Sequence, residues 1–232
     1  MRIAIIPARG GSKRIPKKNI RVFCGRPMIE YSIEAAQKSG VFDRVIVSTD
    51  SDEIAKVAER LGAEVPFRRS KSLADDHVGT GRVIADAWAR FEDRAAVSYV
   101  CCIYATAPFI RSEDLRRGLE MIQTRKVSSV FTITSFPFPI FRSLRREESG
   151  HVAMFWPENM KVRSNDLPEA YHDAGQFYWL DPATIKDDVV FYSEDALGLV
   201  LPRHLVQDID TEEDWVRAEL MFQALNMRKA QA

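Results

Sequence analysis

Two stretches of this chain carry residue types that could do chemistry. The first is PARGGSKRIPKKNI at residues 7–20, where Arg9, Lys13, Arg14, Lys17 and Lys18, followed by Arg21, crowd around the proline breaks Pro7 and Pro16. The first acidic residue is Glu30, so this positive charge has no local partner. Adjacent glycines, Gly10 and Gly11, allow backbone N–H groups to come close to a ligand, and the lysines and arginines supply donors for phosphate oxygens. Like charges packed in this way repel unless an anion joins them, so the stretch reads as a polyphosphate-binding loop rather than a solvated basic turn. It is neither GxxxxGK[ST] nor a GxGxxG that runs into a helix, because Pro16 intervenes and the helix begins only near Pro27.

The second stretch is LVQDIDTEEDW at residues 205–215. In extended chain Asp208 and Asp210 project to one side while Ile209 turns the other way, into a core. Two carboxylates side by side repel unless a cation lies between them, and magnesium with a phosphate-bearing substrate is the usual occupant. Thr211 with Asp214 resembles an N-cap, and Glu212, Glu213 and Asp214 suit the first turn of a helix through its macrodipole.

The elements that must position these stretches alternate. Arg2–Pro7 is an apolar run the length of one buried strand. A helix is predicted from about Met28 to Lys38, a strand over Arg44–Ser48, a helix over Ser51–Leu61 and a third strand over Ala63–Arg69. A helix striped by Val83, Ile84, Ala87, Trp88 and Phe91 follows, then a strand over Ser98–Tyr104. A helix striped by Leu115, Leu119 and Ile122 precedes a strand over Ser128–Thr134, and Trp215, Ala218, Phe222 and Leu225 stripe a final helix. This order predicts an α/β fold, a mostly parallel sheet with helices on both faces and ligands at the carboxyl ends of the strands. From Phe136 to Tyr178 the helical periodicity stops, and FPFPIFRS, HVAMFWPE and GQFYWLD read as extended aromatic pieces. Residues 136–178 are therefore expected to form an arm that packs on a second subunit, inserted in a domain made of 1–135 and 179–232.

Composition bounds the function. The chain has 232 residues, 46% hydrophobic, with 33 Lys+Arg against 33 Asp+Glu, which gives no global bias toward nucleic acid or membrane. No apolar run is long enough to cross a membrane, and no signal peptide precedes Arg9, so a soluble cytoplasmic protein is expected. Cys24 is isolated, and Cys101 and Cys102 are neighbours on opposite strand faces, which indicates neither a disulfide framework nor a zinc site. Asp50 could meet a nucleotide or pair with Glu53 as a helix cap, and Arg69 ends the third strand at the edge of the glycine loop. His77, His151 and His204 have no ligand-spaced companions, whereas His172 lies in YHDAGQFYW, where crowded polar and aromatic residues suggest a pocket wall.

PARGGSKRIPKKNI together with DIDTEEDW resembles the cytidylyltransferases that activate nonulosonic acids, the family of CMP-sialic acid synthetases. RSNDLPEAYHDAGQFYW and CCIYATAPF look most like its pseudaminic acid cytidylyltransferase branch. The sialate branch has glycine in place of Arg14, glutamine-proline in place of Tyr104-Ala105 and proline-asparagine in place of Asp173-Ala174, and many relatives have proline at Ser70. The resemblance implies a Rossmann-like fold of the nucleotide-diphospho-sugar transferase type, a homodimer built through the aromatic arm, CTP as co-substrate and Mg2+ as cofactor. It implies that Ala8, Arg9, Gly10, Gly11, Ser12, Lys13, Lys18, Asn19 and Arg69 bind CTP, with Arg9 and Lys18 on the triphosphate, and that Asp208 and Asp210 hold the metal. Arg163 matches the residue that meets the sugar-acid carboxylate, with Tyr104, His172, Gln176 and Tyr178 around the sugar. A glycosyltransferase using Asp208 and Asp210 as its DxD, and a non-catalytic nucleotide sensor, are the rival readings.

Overall fold

A computed structural model describes residues 1–75 and 78–230; His77 lies outside them. The apolar start forms β1 (Arg2–Pro7), and a short hairpin, β2 (Val22–Phe23) with β3 (Arg26–Pro27), leads into α1 (Met28–Ser39). Helix α1 stops at Gly40, whose φ of 66° is the left-handed conformation that glycine adopts freely. Next come β4 (Arg44–Ser48), α2 (Asp52–Arg60) and α3 (Thr80–Ala89), then β5 (Tyr99–Ile103), α4 (Ser112–Arg125) and β6 (Ser129–Ser135). A hairpin of β7 (Leu144–Arg146) and β8 (Val152–Met154) precedes β9 (Tyr171–Leu180), β10 (Leu197–Val200) and α5 (Glu212–Ala230).

The main sheet runs β10-β6-β9-β5-β1-β4. Strand β9 is antiparallel to both neighbours, whereas β1 is parallel to β4 and β5, and β10 to β6. Helices α1, α2 and α4 bury their apolar stripes on one face, around Ile33, Ile54, Leu115 and Trp179. Helix α3 covers the other face, where Ile84 meets Ile3, Ile5 and Tyr178. Cys101 and Cys102 are both buried and divide between those two faces, as strand alternation requires. A third cluster joins Ile15, Phe23, Met28 and Tyr31 from the start of the chain to Ile209, Trp215 and Ala218 from its end.

Two expectations need correction. Ala63–Arg69 is not a strand: it makes only isolated parallel bridges, Ile46 with Glu64 and Thr49 with Arg68. Pro66 lies between them and has no N–H for a ladder. The piece GQFYWLD does not belong to an arm either. Phe177, Tyr178 and Trp179 are fully buried in β9, between β5 and β6. An all-round apolar strand resembles an extended aromatic segment in sequence, and only its pairing tells them apart. The remaining stretch, from Phe136 to Ala170, carries the β7–β8 hairpin and short 3₁₀ turns.

Helix α4 approaches β9 closely at Gly118, where a Cβ would stand 2.7 Å from Trp179 and 2.8 Å from Phe177. The Trp179 ring is held by stacking on Phe42 at 5.0 Å and by its Nε1–H donating to the Leu115 carbonyl at 3.1 Å, so it cannot yield cheaply. Overpacking costs ~1–3 kcal/mol, more than the ~1 kcal/mol that alanine gains over glycine in a helix. Gly118→Ala is therefore expected to lower the urea midpoint at unchanged m-value; a midpoint equal to or above that of the wild type refutes this packing.

Candidate active site

The loop after β1 is built by local contacts before any ligand is considered. Ala8 is buried and its N–H donates to the Ser48 carbonyl at 2.9 Å, extending the β1–β4 ladder by one residue. The Gly10 N–H donates to Asp50 Oδ1 at 2.9 Å, and a Cβ on Gly10 would stand 3.0 Å from the Ser51 Cβ. Glycine is needed there for close approach, whereas a Cβ on Gly11 would meet nothing within 4 Å. Asn19 is buried, with Nδ2 donating to the Arg9 carbonyl at 2.9 Å and its own carbonyl accepting from Ile29. Its amide thus shapes the loop from behind.

Asp50 is neither a cap for α2 nor paired with Glu53. Ser51 caps α2, its Oγ accepting from Ile54 N–H, and Glu53 pairs with Lys17. Asp50 instead holds Gly10, and its Oδ1 lies 3.8 Å from Arg69 Nη2. Arg69 is 5% exposed and its Nε is buried without a hydrogen-bond partner. Burial pushes its pKa down, Asp50 opposes that shift, and the like charge of Arg9 adds to it. A buried guanidinium so weakly neutralised is an electrostatic invitation to an anion.

These groups surround a pocket of about 280 Å³ at the carboxyl edge of the sheet. Arg9, Ser12, Lys13 and Lys18 enter it from the first loop, and Arg69 from the bridge segment. Tyr104 and Thr80 close the far wall. Thr80 is the first residue of α3, whose N-cap Gly79 offers no side-chain cap, so the positive end of that helix stands at the pocket.

Asp210 reaches the same pocket from the other end of the chain. Ile209 is fully buried against Phe23 and Trp215, which leaves Asp208 and Asp210 projecting away from that core. Lys18 Nζ donates to the Ile209 carbonyl at 2.6 Å and lies 3.3 Å from Asp210 Oδ1, while Arg14 Nη2 is 3.0 Å from that same oxygen. Asp208 is exposed and, unlike Asp210, does not line the pocket; its carboxyl is pushed above its ordinary value, first by loss of solvation and then by the charge of Asp210, with Lys18 pulling it back. Thr211 and Asp214 form a reciprocal cap on α5, each N–H bonded to the other's side chain, at 2.9 and 3.2 Å. The Arg14–Asp210 pair had no signal in the sequence, being one contact between opposite ends of the chain.

The residues expected around a sugar are dispersed. Tyr104 is in the pocket wall, but Tyr178 stands behind it, buried, with ring centroids 5.3 Å apart. Gln176 is buried, its Nε2 donating to the Leu205 carbonyl at 2.6 Å and its Oε1 without a partner. His172 packs on Phe136 at 4.8 Å, outside the pocket lining. Arg163 is exposed on the segment between β8 and β9 and is not brought to this pocket.

A family model described as cytidylyltransferase matches residues 3–173. The chain belongs to the cytidylyltransferase family. This cytidylyltransferase is 42% identical over 222 residues to the pseudaminic acid cytidylyltransferase of Campylobacter jejuni, covering 95% of each chain. It is 33% identical to the CMP-N,N'-diacetyllegionaminic acid synthase of Legionella pneumophila, over 95% of this chain and 96% of that one. Among solved structures it is similar to a CMP:2-keto-3-deoxy-manno-octonic acid synthetase complexed with CTP, at a TM-score of 0.69. That likeness covers 96% of this chain and 98% of the other at 14% identity, so it speaks for the fold.

Asp50→Ala removes both the acceptor of Gly10 N–H and the carboxylate beside Arg69. Leaving such buried donors unsatisfied costs ~1–3 kcal/mol, so this cytidylyltransferase variant is expected to lose that much stability in urea unfolding. An unchanged midpoint refutes the role of Asp50 as the strut of the loop.

Proposed function

We propose that this cytidylyltransferase joins a nonulosonic acid of the pseudaminic type to CMP, releasing pyrophosphate from CTP. The observation that carries the reading is the convergence of Arg9, Lys13, Lys18 and buried Arg69 with Asp210 on one pocket. The pocket lining carries Arg9, Lys13, Arg14, Lys18 and Arg69 against the carboxylates of Asp75 and Asp210, an excess of positive charge that a triphosphate matches, and the identity to pseudaminic acid cytidylyltransferases supports the choice of sugar acid. N-acylneuraminate is the second candidate substrate, since a 37% identical relative from Oncorhynchus mykiss is an N-acylneuraminate cytidylyltransferase. A CTP-consuming reaction also fits the expected cytoplasmic setting.

Asp208 and Asp210 offer two hard carboxylate oxygens on one side of the chain, and among the described residues no cluster of three or more such ligands exists. That donor set fits a magnesium ion whose remaining ligands are phosphate oxygens and water. When bound there, the ion supplies charge neutralisation on the phosphates. The chain's own residues do the rest. The anomeric hydroxyl oxygen of the sugar acid forms a bond to the α-phosphorus in line with the bond to pyrophosphate; that bond breaks, pyrophosphate leaves with its electron pair, and the hydroxyl proton passes to solvent. Arg9 and Lys18 hold the departing phosphates, Ser12, Lys13 and the Gly10–Gly11 backbone orient them, and Arg69 neutralises charge from below. Arg163, as a planar bidentate donor, meets the substrate carboxylate.

Arg163 stands away from the pocket of its own chain, and the arm around it exposes Phe138, Leu144, Val152, Phe155 and Met160. Such a run of apolar side chains on one segment fits a subunit interface better than solvent. We read residues 136–170 as a homodimer arm that delivers Arg163 to the neighbouring site.

Two measurements test this reading. Pyrophosphate release from CTP is expected with a pseudaminic-type acid, and Asp210→Ala is expected to lower kcat ~10²–10³-fold with the fold intact by circular dichroism. Release from CTP by Asp210→Ala at wild-type rate sinks the metal role, and no release with any nonulosonic acid sinks the function. In sedimentation the wild type is expected to run as a dimer and Leu144→Glu as a monomer; a monomeric wild type removes the arm's role.

A further inference from the structure

The third apolar cluster does more than join the two ends of the chain. Ile15 and Ile209 are both buried in it, so the backbones that carry them are held side by side. Arg14 directly precedes Ile15 and Asp210 directly follows Ile209, which sets the two charged side chains against each other at the pocket. Arg14 Nη2 stands 3.0 Å from Asp210 Oδ1, and Lys18 Nζ reaches the same oxygen at 3.3 Å. The carboxylate that would ligate a metal is thus spent on two cations of its own chain.

The two cations are not equally committed. Lys18 also donates to the Ile209 carbonyl at 2.6 Å, and its side chain is only 19% exposed. The Arg14 side chain is 65% exposed, and among the described residues Asp210 is its ion-pair partner. An exposed pair of this kind is weak in water and exchanges readily. A divalent ion on either oxygen of Asp210 would stand beside the Arg14 guanidinium, and like charges that close repel. Arg14 and the ion therefore compete for one carboxylate. A triphosphate changes the competition, because its oxygens take a guanidinium bidentately, and Arg14 already lines the pocket in which they would lie.

We propose that Arg14 is a positioning residue that couples metal entry to nucleotide entry: it holds Asp210 against a divalent ion until a triphosphate draws it away. The inference rests on the CTP and metal reading above and adds the order in which the two ligands are taken. Such coupling is reciprocal, so nucleotide tightens metal and metal tightens nucleotide by the same factor. Arg14 makes and breaks no covalent bond, and Lys18 stays on the Ile209 carbonyl throughout. An ion pair with no part in binding predicts instead that removing Arg14 leaves metal affinity unchanged.

The test uses the whole chain and reads binding rather than turnover. Mn2+ is titrated into the protein without nucleotide and the free ion followed by electron paramagnetic resonance, and CTP is titrated calorimetrically in EDTA. Arg14→Gln is expected to bind Mn2+ about fivefold more tightly than the wild type and CTP alone about fivefold less tightly, each the worth of one exposed ion pair. A purely structural role cannot give those opposite signs, since loss of structure weakens both. Lys17→Gln removes a cation of equal exposure from the same loop, but one paired with Glu53 and outside the pocket lining, and is expected to change neither affinity. Combining Arg14→Gln with Asp210→Asn is expected to abolish the gain in Mn2+ affinity. An unchanged Mn2+ affinity in Arg14→Gln, an equal gain in Lys17→Gln, a gain that survives Asp210→Asn, or unweakened CTP binding overturns the inference, and pyrophosphate release by the wild type then leaves the cytidylyltransferase reading standing. If neither the wild type nor Arg14→Gln binds Mn2+, the metal role of Asp210 falls with the inference.

Discussion

The structure depends on an excess of positive charge at the carboxyl end of β1 and on how far the chain must go to answer it. Lys17 finds Glu53, Arg21 finds Glu212, and Arg14 and Lys18 share Asp210. None of these carboxylates is near in sequence, and the pairs are mostly solvent-exposed, each contributing ~0–1 kcal/mol at most. They cannot by themselves hold the two ends of the chain together. The apolar cluster beneath them can: Ile15, Phe23, Ile209 and Trp215 are buried together, and each such side chain stabilises by ~1.5–3 kcal/mol. Edge-to-face contact of Phe23 with Trp215, at 5.4 Å, fixes the angle at which α5 arrives. Hydrophobic burial sets the meeting of the termini, and the charges on top of it are left adjustable.

That division has a chemical consequence. The carboxylate of Asp210 is already neutralised by two cations, yet both of those cations, like Arg69 beneath them, line the same cavity. A ligand of high negative charge density can take over those cations while Asp210 turns to another partner, without disturbing the core. The loop backbone is pinned separately, by Asp50 at Gly10 and by Asn19 at Arg9, so neither anchor depends on the Asp210 ion pairs.

The antiparallel strand β9 is the second device. In a purely parallel sheet only strand ends reach the ligand edge, each followed by its loop. Because β9 runs the other way, its beginning, Tyr171 to Gly175, lies at that edge, and its end is locked between β5 and β6. The same strand thereby provides a rigid aromatic core and a polar, bulged rim beside the pocket. The 14% identity shared with a structure of the same fold indicates how little of the chain the scaffold itself constrains.

Most of the layered fold was legible in the sequence, because helices and strands that bury one stripe or one short run carry periods that local chemistry enforces. The break in regular structure after β1 and the burial of Ile209 between Asp208 and Asp210 were legible too, since proline and glycine breaks and strand alternation are properties of neighbouring residues. The strand predicted at Ala63–Arg69 failed on Pro66, which removes a donor that periodicity does not register. The place of β9 was decided only by tertiary structure, for its apolar run Phe177–Leu180 has no period to say which neighbours it pairs with. So were the contacts of Asp50 with Gly10 and of Arg14 with Asp210. Each joins groups that local propensity treats as independent, and only the closing of the sheet and its third apolar cluster brings them within a hydrogen bond.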